Sequence, residues 1–192
     1  MQSVGAPFGK SLFVLGGARS GKSRHAQEVA EASATAVATG KEGGPACLVY
    51  IATAQAFDGE MEDRIARHRA DRDARWRTIE APLALAAALT GADGVDAIML
   101  VDCLTLWVSN LLLADEHVSA HADALVATIA RLEGRVILVS NEVGLGIVPD
   151  NALARRFRDA AGFLHQQIAA EVDSVDMVAA GLVQRWKSPP VR

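Results

Sequence analysis

The chain has 192 residues, 51% of them hydrophobic and 22% charged, which is the composition of a folded domain with a sizeable core. Its net charge of −4 gives no general positive field, so the composition argues against nucleic acid as a partner. Two cysteines are too few for a disulfide framework, and no apolar run approaches the roughly 18 residues of a membrane span. We therefore expect a cytoplasmic protein with no membrane span.

Apolar strands alternate with amphipathic helices along the chain. Residues 1–10 contain Gly and Pro and are expected to be flexible, and the small, Gly-rich residues 33–46 are expected to form a flexible connection. Apolar runs predict strands at residues 11–16, 47–54, 97–102, 135–144 and 174–181, with a shorter strand at 76–80. Helices are expected from about residue 22, after Asp58, at 82–89 and 104–113, and along the stripes Leu125–Ile129–Leu132 and Leu153–Phe157–Leu164–Ile168.

This alternation is typical of a mostly parallel sheet that is covered by helices on both faces. In such sheets, ligands bind beyond the carboxyl ends of the strands. Thr53, Asp102 and the pair Asn141–Glu142 would lie at that edge. No internal repeat or linker is evident, so residues 11–192 are expected to form a single catalytic domain.

The strongest motif is "GGARSGKS", which fits the phosphate-loop pattern G-x-x-x-x-G-K-[ST] and stands between a predicted strand and a predicted helix. Backbone N–H groups of such a loop converge on phosphate oxygens, and the helix N-terminus adds positive potential. Lys22 would reach the β- and γ-phosphates, and Ser23 would ligate Mg²⁺. The motif predicts a P-loop NTPase with a RecA-like three-layer sandwich. Its nucleotide-binding residues would be Gly16, Gly17, Ala18, Arg19, Ser20, Gly21, Lys22 and Ser23.

A phosphate loop of this kind requires an acidic partner at the end of a nearby strand, to hold the metal ion. Asp102 ends the apolar run "AIMLVD" and fits this role. The alternative is that Asp102 only caps the helix that follows, and one side chain could serve both purposes.

His68 is the candidate for a second chemical function. Met61, Ile65 and His68 share one helical stripe, so a packing role for the imidazole is the simpler interpretation. However, Arg64 and Arg72 lie one turn to either side, and like charges disfavour protonation of the ring. A neutral imidazole is a nucleophile, and arginines bind phosphate. The composition leaves both interpretations open.

Seven segments together resemble the bifunctional adenosylcobinamide kinase / adenosylcobinamide-phosphate guanylyltransferase family of cobalamin biosynthesis. The resemblance runs in order over about residues 11–181. Its segments are "GGARSGKSRHA", "YIATA", "DGEMEDRIARHRADR", "WRTIEAP", "VDCLTLWVSN", "VSNEVGLGIVP" and "LARRFRDAAG". The chain departs from the family pattern at residues 33–46, at His165, where asparagine is usual, and in its last residues.

The resemblance implies two activities. ATP or GTP would phosphorylate the aminopropanol hydroxyl of adenosylcobinamide, and GTP would then donate GMP to that phosphate, releasing pyrophosphate. His68 matches the histidine that carries the guanylyl group in the family, and Lys22 would serve both steps. The resemblance also implies a homotrimer, Mg²⁺ as cofactor, and a nucleotide site that includes Ala52, Thr53, Ala54, Arg69, Ala70, Asp71, Arg72, Glu80 and Asp102.

Two other interpretations of the sequence remain. A plain small-molecule P-loop kinase would need no nucleophilic histidine, so His68 would be structural. A RecA-like regulatory protein would hydrolyse nucleotide slowly and transfer nothing. The fate of the α-phosphate of GTP distinguishes the bifunctional enzyme from both.

Overall fold

The computed structural model describes residues 8–38, 46–55 and 74–189. The helix expected after Asp58 lies outside the described residues. The described strands are β1 (Ser11–Gly16), β2 (Cys47–Ala52), β3 (Trp76–Glu80), β4 (Ala97–Asp102), β5 (Arg135–Asn141), β6 (Ser174–Ala179) and β7 (Leu182–Lys187). The described helices are α1 (Lys22–Ala38), α2 (Leu85–Ala92), α3 (Leu104–Leu113), α4 (Val118–Ile129) and α5 (Ala152–Glu171).

The strands form one sheet in the order β3-β2-β4-β5-β1-β6-β7. All neighbouring strands are parallel except β6 and β7, which are antiparallel. The first six strands therefore end at one edge, which we call the carboxyl edge. The mostly parallel α/β sheet predicted from the sequence is confirmed. β5 lies between β1 and β4, so one strand separates the phosphate-loop strand from the strand that ends in Asp102.

Successive strand residues point to opposite faces of the sheet, and helices bury both faces. On one face, α1 covers a cluster that includes Val14, Ala26, Ala30, Leu100 and Ile137. On the other face, α2 to α5 enclose a larger cluster that includes Phe13, Met99, Trp107, Leu138 and Leu164. The continuous apolar runs in the sequence follow from this double coverage.

Strand β7 was missed, since the sequence predicted that residues 174–181 form the last strand. β7 is an edge strand, and its side chains are exposed or only half-buried, with Leu182 76% and Trp186 58% exposed. A strand of this kind needs no buried apolar run, so its sequence carries no strong strand signal.

The expectation of a flexible connection over residues 33–46 was wrong for its first part, because α1 continues to Ala38. The hydroxyl of Ser33 donates to the carbonyl of Val29 at 2.8 Å, and that of Thr35 to the carbonyl of Glu31 at 3.0 Å. These bonds satisfy polar groups that would otherwise favour a turn, and alanines fill the rest of the segment. Helix α2 also differs from prediction, since it begins at Leu85 rather than at Pro82.

Residues 8–10 belong to the segment expected to be flexible, yet they are fastened to the amino edge of the sheet. Phe8 is 2% exposed, and its carbonyl accepts a hydrogen bond from Ser174 Oγ at 2.9 Å. The carboxylate of Asp173 accepts from the backbone N–H groups of Lys10, at 2.6 Å, and Ser11, at 3.1 Å. Residues 1–7 lie outside the described residues.

Replacing Gly134 by Ala should destabilise the fold. A Cβ there would lie 2.6 Å from the carbonyl oxygen of Gly94 and 2.7 Å from that of Ala97. We expect a loss of about 1–3 kcal/mol in the free energy of unfolding, because backbone must shift. Gly162→Ala in α5 is the matched control. Its Cβ meets nothing within 4 Å, so it should raise stability by about 0.5–1 kcal/mol. Urea unfolding measures both, and equal effects would contradict the packing described.

Candidate nucleotide-binding site

The phosphate loop connects β1 to α1, as the motif predicted. β1 ends at Gly16, and α1 begins at Lys22. Two loop residues have left-handed backbone, Arg19 with φ 56° and Gly21 with φ 97°. At Gly21 the absence of a Cβ makes this conformation inexpensive. The loop therefore brings free N–H groups of the α1 N-terminus to the carboxyl edge, where an anion can accept from them.

Gly16 allows the loop to close tightly over the sheet. A Cβ at Gly16 would lie 2.5 Å from Ser20 Oγ and 2.5 Å from the carbonyl oxygen of Val178. The Ser20 hydroxyl is buried and finds no hydrogen-bond partner within the described ranges. Lys22 is 7% exposed, and its Nζ donates to the carbonyl of Gly17 at 3.2 Å. The lysine therefore folds back over the loop that it would serve.

The other predicted site residues at the carboxyl edge occupy neighbouring strands. Ala52, the last residue of β2, pairs with Asp102 of β4 on one side and with Glu80 of β3 on the other. Asp102 and Ala54 are half-buried, and Glu80 is exposed. β3 is four strands from β1, so Glu80 lies roughly 19 Å along the sheet from the phosphate loop at ordinary strand spacing.

The Thr53 side chain clamps the backbone that follows Asp102. Its hydroxyl donates to the carbonyl of Cys103 at 2.7 Å and accepts from the N–H of Cys103 at 2.9 Å. Thr53 is completely buried. Both the donor and an acceptor site of the hydroxyl are thus used on residue 103, which fixes the direction in which the chain leaves β4.

Two asparagines and a second threonine extend this clamp into a network that the sequence did not predict. Asn110 Nδ2 donates to the carbonyls of Thr53, at 2.7 Å, and Pro82, at 3.1 Å. Thr105 Oγ1 accepts from Asn141 Nδ2 at 3.0 Å and lies 3.1 Å from Cys103 Sγ. The network joins the ends of β2, β4 and β5. The only signal in the sequence was polar residues directly after apolar strands.

The charges of Lys22 and Asp102 both act on the Cys103 thiol. Burial raises the pKa of Cys103, and the negative charge of Asp102 raises it further, while the Lys22 charge partly opposes the rise. The thiol therefore stays neutral near pH 7, and both charged groups are close enough to act on it. The proximity supports the predicted pairing of the phosphate loop with the end of β4.

His165 is a further buried imidazole near this edge. Its Nε2 lies 2.8 Å from Ser140 Oγ, and its ring is 5.5 Å from that of Phe13. Burial lowers the pKa of His165, although the nearby Glu142 carboxylate partly raises it. The sequence marked His165 only as a departure from the family pattern. The structure places it on α5, where its ring packs against β1 and β5.

Five predicted site residues lie in the segment 56–73, which is outside the described residues. These residues are His68, Arg69, Ala70, Asp71 and Arg72. Their roles stay predictions.

The oxygen donors expected to hold Mg²⁺ fit the ion chemically. Ser23 is half-buried in the first turn of α1, and Asp102 is half-buried at the end of β4. Mg²⁺ prefers oxygen ligands and commonly takes only one or two from the protein. The described residues contain no cluster of three or more metal-ligating His, Cys, Asp or Glu side chains. A site completed by phosphate oxygens and water agrees with this sparse set.

A strand–loop–helix phosphate cradle on a parallel sheet, faced by an acidic strand end, defines a P-loop nucleotide-binding protein. A family model described as "Cobinamide kinase / cobinamide phosphate guanyltransferase" matches residues 12–186. The chain belongs to this family, and the resemblance found in its sequence is confirmed. None of the described helices is both long and apolar enough to cross a membrane.

Three relatives align with this chain over nearly their whole length. The chain is 51% identical to the bifunctional adenosylcobalamin biosynthesis protein CobP of Pseudomonas aeruginosa, over 93% of this chain and 98% of that protein. It is 38% identical to the bifunctional adenosylcobalamin biosynthesis protein CobU of Salmonella typhimurium and 37% identical to that of Escherichia coli. Both of these alignments cover 89% of this chain and 96% of the relative.

Replacing Thr53 by Val should test the clamp. The shape is kept, but the buried N–H of Cys103 loses its partner, while the Cys103 carbonyl still accepts from the N–H of Trp107 at 3.2 Å. We expect a loss of about 1–3 kcal/mol in the free energy of unfolding, and Thr53→Ser should recover most of it.

Thr128→Val is the matched control, since the Thr128 hydroxyl donates only to the helical carbonyl of Ala124, at 2.8 Å. Its effect should stay below about 0.5 kcal/mol, because bonding back to a carbonyl of the same helix adds little stability. Urea unfolding of all three variants measures the difference. If both valine variants lose the same amount, the Thr53 hydroxyl is not a clamp.

Proposed function

We propose that this chain phosphorylates the aminopropanol hydroxyl of adenosylcobinamide with ATP or GTP and then transfers GMP from GTP to the phosphate it has made. The products of the second step are adenosylcobinamide-GDP and pyrophosphate. Membership of the cobinamide kinase / cobinamide phosphate guanyltransferase family supports both activities. The observation that carries the proposal is the phosphate loop between β1 and α1, which holds the buried Lys22 at the sheet edge where β4 ends in Asp102.

In the first step, the chain binds and orients the triphosphate. N–H groups of the loop and of the first turn of α1 would donate hydrogen bonds to its oxygens. Lys22 would neutralise charge on the transferred phosphoryl group. Positioning and charge stabilisation account for most of the catalysis in phosphoryl transfer. The buried surroundings of Lys22 strengthen its interaction with phosphate, because less water screens the charges.

Magnesium would be held by the Ser23 hydroxyl and the Asp102 carboxylate. The ion would supply positive charge that neutralises the phosphate oxygens. The Thr53 clamp on Cys103 bears on this site, since it fixes the backbone immediately after Asp102.

The second step would use His68 as a nucleophile. A ring nitrogen attacks the α-phosphorus of GTP, the bond from that phosphorus to the bridging oxygen breaks, and pyrophosphate leaves. A phosphate oxygen of adenosylcobinamide phosphate then attacks the same phosphorus, and the P–N bond breaks to free the imidazole. Arg69 and Arg72 would neutralise phosphate charge, and Ala70, Asp71, Ala52–Ala54 and Glu80 would line the nucleotide.

We further infer a homotrimer with sites at subunit interfaces, and a cytoplasmic, single-domain enzyme over residues 11–192. Large apolar side chains stand exposed in the loop after β5, with Leu145 85%, Ile147 97% and Val148 61% exposed. A contiguous exposed apolar segment is typical of a surface that another molecule covers. The segment follows β5 at the carboxyl edge, so a molecule that covers it would lie on the same side of the sheet as the proposed site.

GTP labelled at the α-phosphate should label the protein covalently, and GTP labelled at the γ-phosphate should not. The label should be labile in acid and stable in alkali, as expected for a P–N bond to histidine. His68→Ala should remove the label and abolish GMP transfer while phosphorylation of adenosylcobinamide continues.

His117→Ala is the control, because His117 is exposed at the N-terminus of α4; it should keep both the label and GMP transfer. A plain P-loop kinase or a RecA-like regulator would give no labelled protein in any variant. Loss of both activities in a folded His68→Ala protein that still binds GTP would contradict the division of roles.

Lys22→Ala should impair both steps, since both depend on one triphosphate cradle. We expect a fall in kcat/KM of about 10²-fold or more for each, the scale of losing one charge-stabilising donor. Lys10→Ala, which removes an exposed lysine at the opposite edge of the sheet, should leave both rates unchanged. Steady-state assays of phosphorylation and of pyrophosphate release test this, and unequal losses would point to two separate nucleotide sites.

A further inference from the structure

A buried cluster of charges joins the first turn of α1 to the hairpin of β6 and β7. Asp176 of β6 is completely buried. Its carboxylate accepts a hydrogen bond from Nε2 of His25, in α1, at 2.9 Å. It also accepts from Nε of Arg185, in β7, and from Nη2 of the same arginine at 3.3 Å. A buried carboxylate is tolerated when partners of this kind satisfy it, so the three side chains form one unit.

The carboxylate of this unit stays ionised. Burial by itself raises the pKa of Asp176, but hydrogen bonds from His25 and Arg185, together with their positive charges, outweigh burial and hold the pKa below the ordinary value of 3.8. An ionised carboxylate can only accept hydrogen bonds, so Nε2 of His25 carries the proton in this contact. β1, the other neighbour of β6, has the sequence "SLFVLG" and brings no titratable side chain.

The same hairpin touches the backbone of the phosphate loop. Ala180 and Gly181 form its turn, both with left-handed backbone, at φ 52° and 76°. The N–H of Gly181 donates to the carbonyl of Ser20 at 2.8 Å. A Cβ at Gly21 would lie only 3.5 Å from Gly181 Cα. Loop and turn are therefore in direct contact.

We propose that His25, Asp176 and Arg185 are positioning residues that hold the phosphate loop against the β6–β7 hairpin. His25 follows Lys22 by three residues, within the first turn of α1, so a shift of its ring moves the start of the helix that carries Lys22 and Ser23. The hairpin is fastened to the loop at two points, one through the side-chain cluster and one through the bond between Gly181 and Ser20. If the side-chain cluster is lost, only the hydrogen bond between Gly181 and Ser20 holds the loop at its distance from the hairpin.

This inference rests on the proposed function only in that the loop binds a triphosphate. The decisive variant is Arg185→Gln. Titration calorimetry measures its Kd for GTP. Circular dichroism and the thermal midpoint first establish that the variant is folded. We expect binding to weaken by about 10-fold, which is one lost buried charge-assisted hydrogen bond. Arg185→Lys should recover part of the affinity.

Lys187→Gln is the matched control, because it removes a cation from the same strand. Its Nζ donates to the carbonyls of Ala169 and Ala170, at 3.0 and 2.9 Å, at the end of α5. GTP affinity should stay within about twofold of the unaltered protein, as expected for a partly exposed charge.

The outcomes are distinguishable. If folded Arg185→Gln binds GTP as tightly as the unaltered protein, the positioning role is excluded. If Arg185→Gln does not fold, the GTP affinity of His25→Ala tests the positioning role instead. In that variant Asp176 keeps its contact with Arg185. If the unaltered protein itself binds no GTP, the proposed function fails, whatever the cluster does.

Discussion

Parallel pairing of the strands is the constraint on which the candidate site depends. Six strands end at one edge, so residues that are far apart in the chain meet without any long connection crossing the sheet. Gly16 and Asn141 are paired across β1 and β5, and Ala52 and Asp102 across β2 and β4. A one-residue slip in either pairing would exchange the side chains that pack into the two core clusters. The cost of that slip fixes the relative heights of the phosphate loop and Asp102.

The phosphate loop is held from both sides by backbone hydrogen bonds. On the β5 side, the N–H of Glu142 donates to the carbonyl of Gly16 at 3.0 Å. On the β6 side, the N–H of Gly181 donates to the carbonyl of Ser20 at 2.8 Å. Both bonds use carbonyl groups, so neither occupies an N–H group of the loop. Within the loop, the N–H of Ser20 donates to the carbonyl of Gly17 at 3.3 Å. A rigid cradle of donors loses little entropy when it binds an anion, which favours tight binding of phosphate.

Local patterns in the sequence were sufficient to predict the parallel sheet, the phosphate loop and Asp102. Each depends on a few consecutive residues, such as an apolar run that ends in Gly or Asp. The contacts that brace the site were not predictable in this way. Thr53 and Cys103 are 50 residues apart, and His25 and Asp176 are 151 apart. The sequence shows that each is polar but not which partner it meets. β7 was missed for a related reason, because an exposed edge strand has no apolar run.

The chemistry near the loop restricts which side chain could carry a guanylyl group. Cys103 is the thiol at the carboxyl edge, but burial and Asp102 raise its pKa, so it remains a poor nucleophile near neutral pH. Its sulfur also contacts Thr105 Oγ1 at 3.1 Å, and the residue is only 5% exposed. His25 is bound to a buried carboxylate, and His165 is packed against Ser140 and Phe13. Cys103, His25 and His165 are thus each engaged in a packing or hydrogen-bonding contact. The proposed nucleophile, His68, lies instead on the segment between β2 and β3, where the sequence places it among arginines.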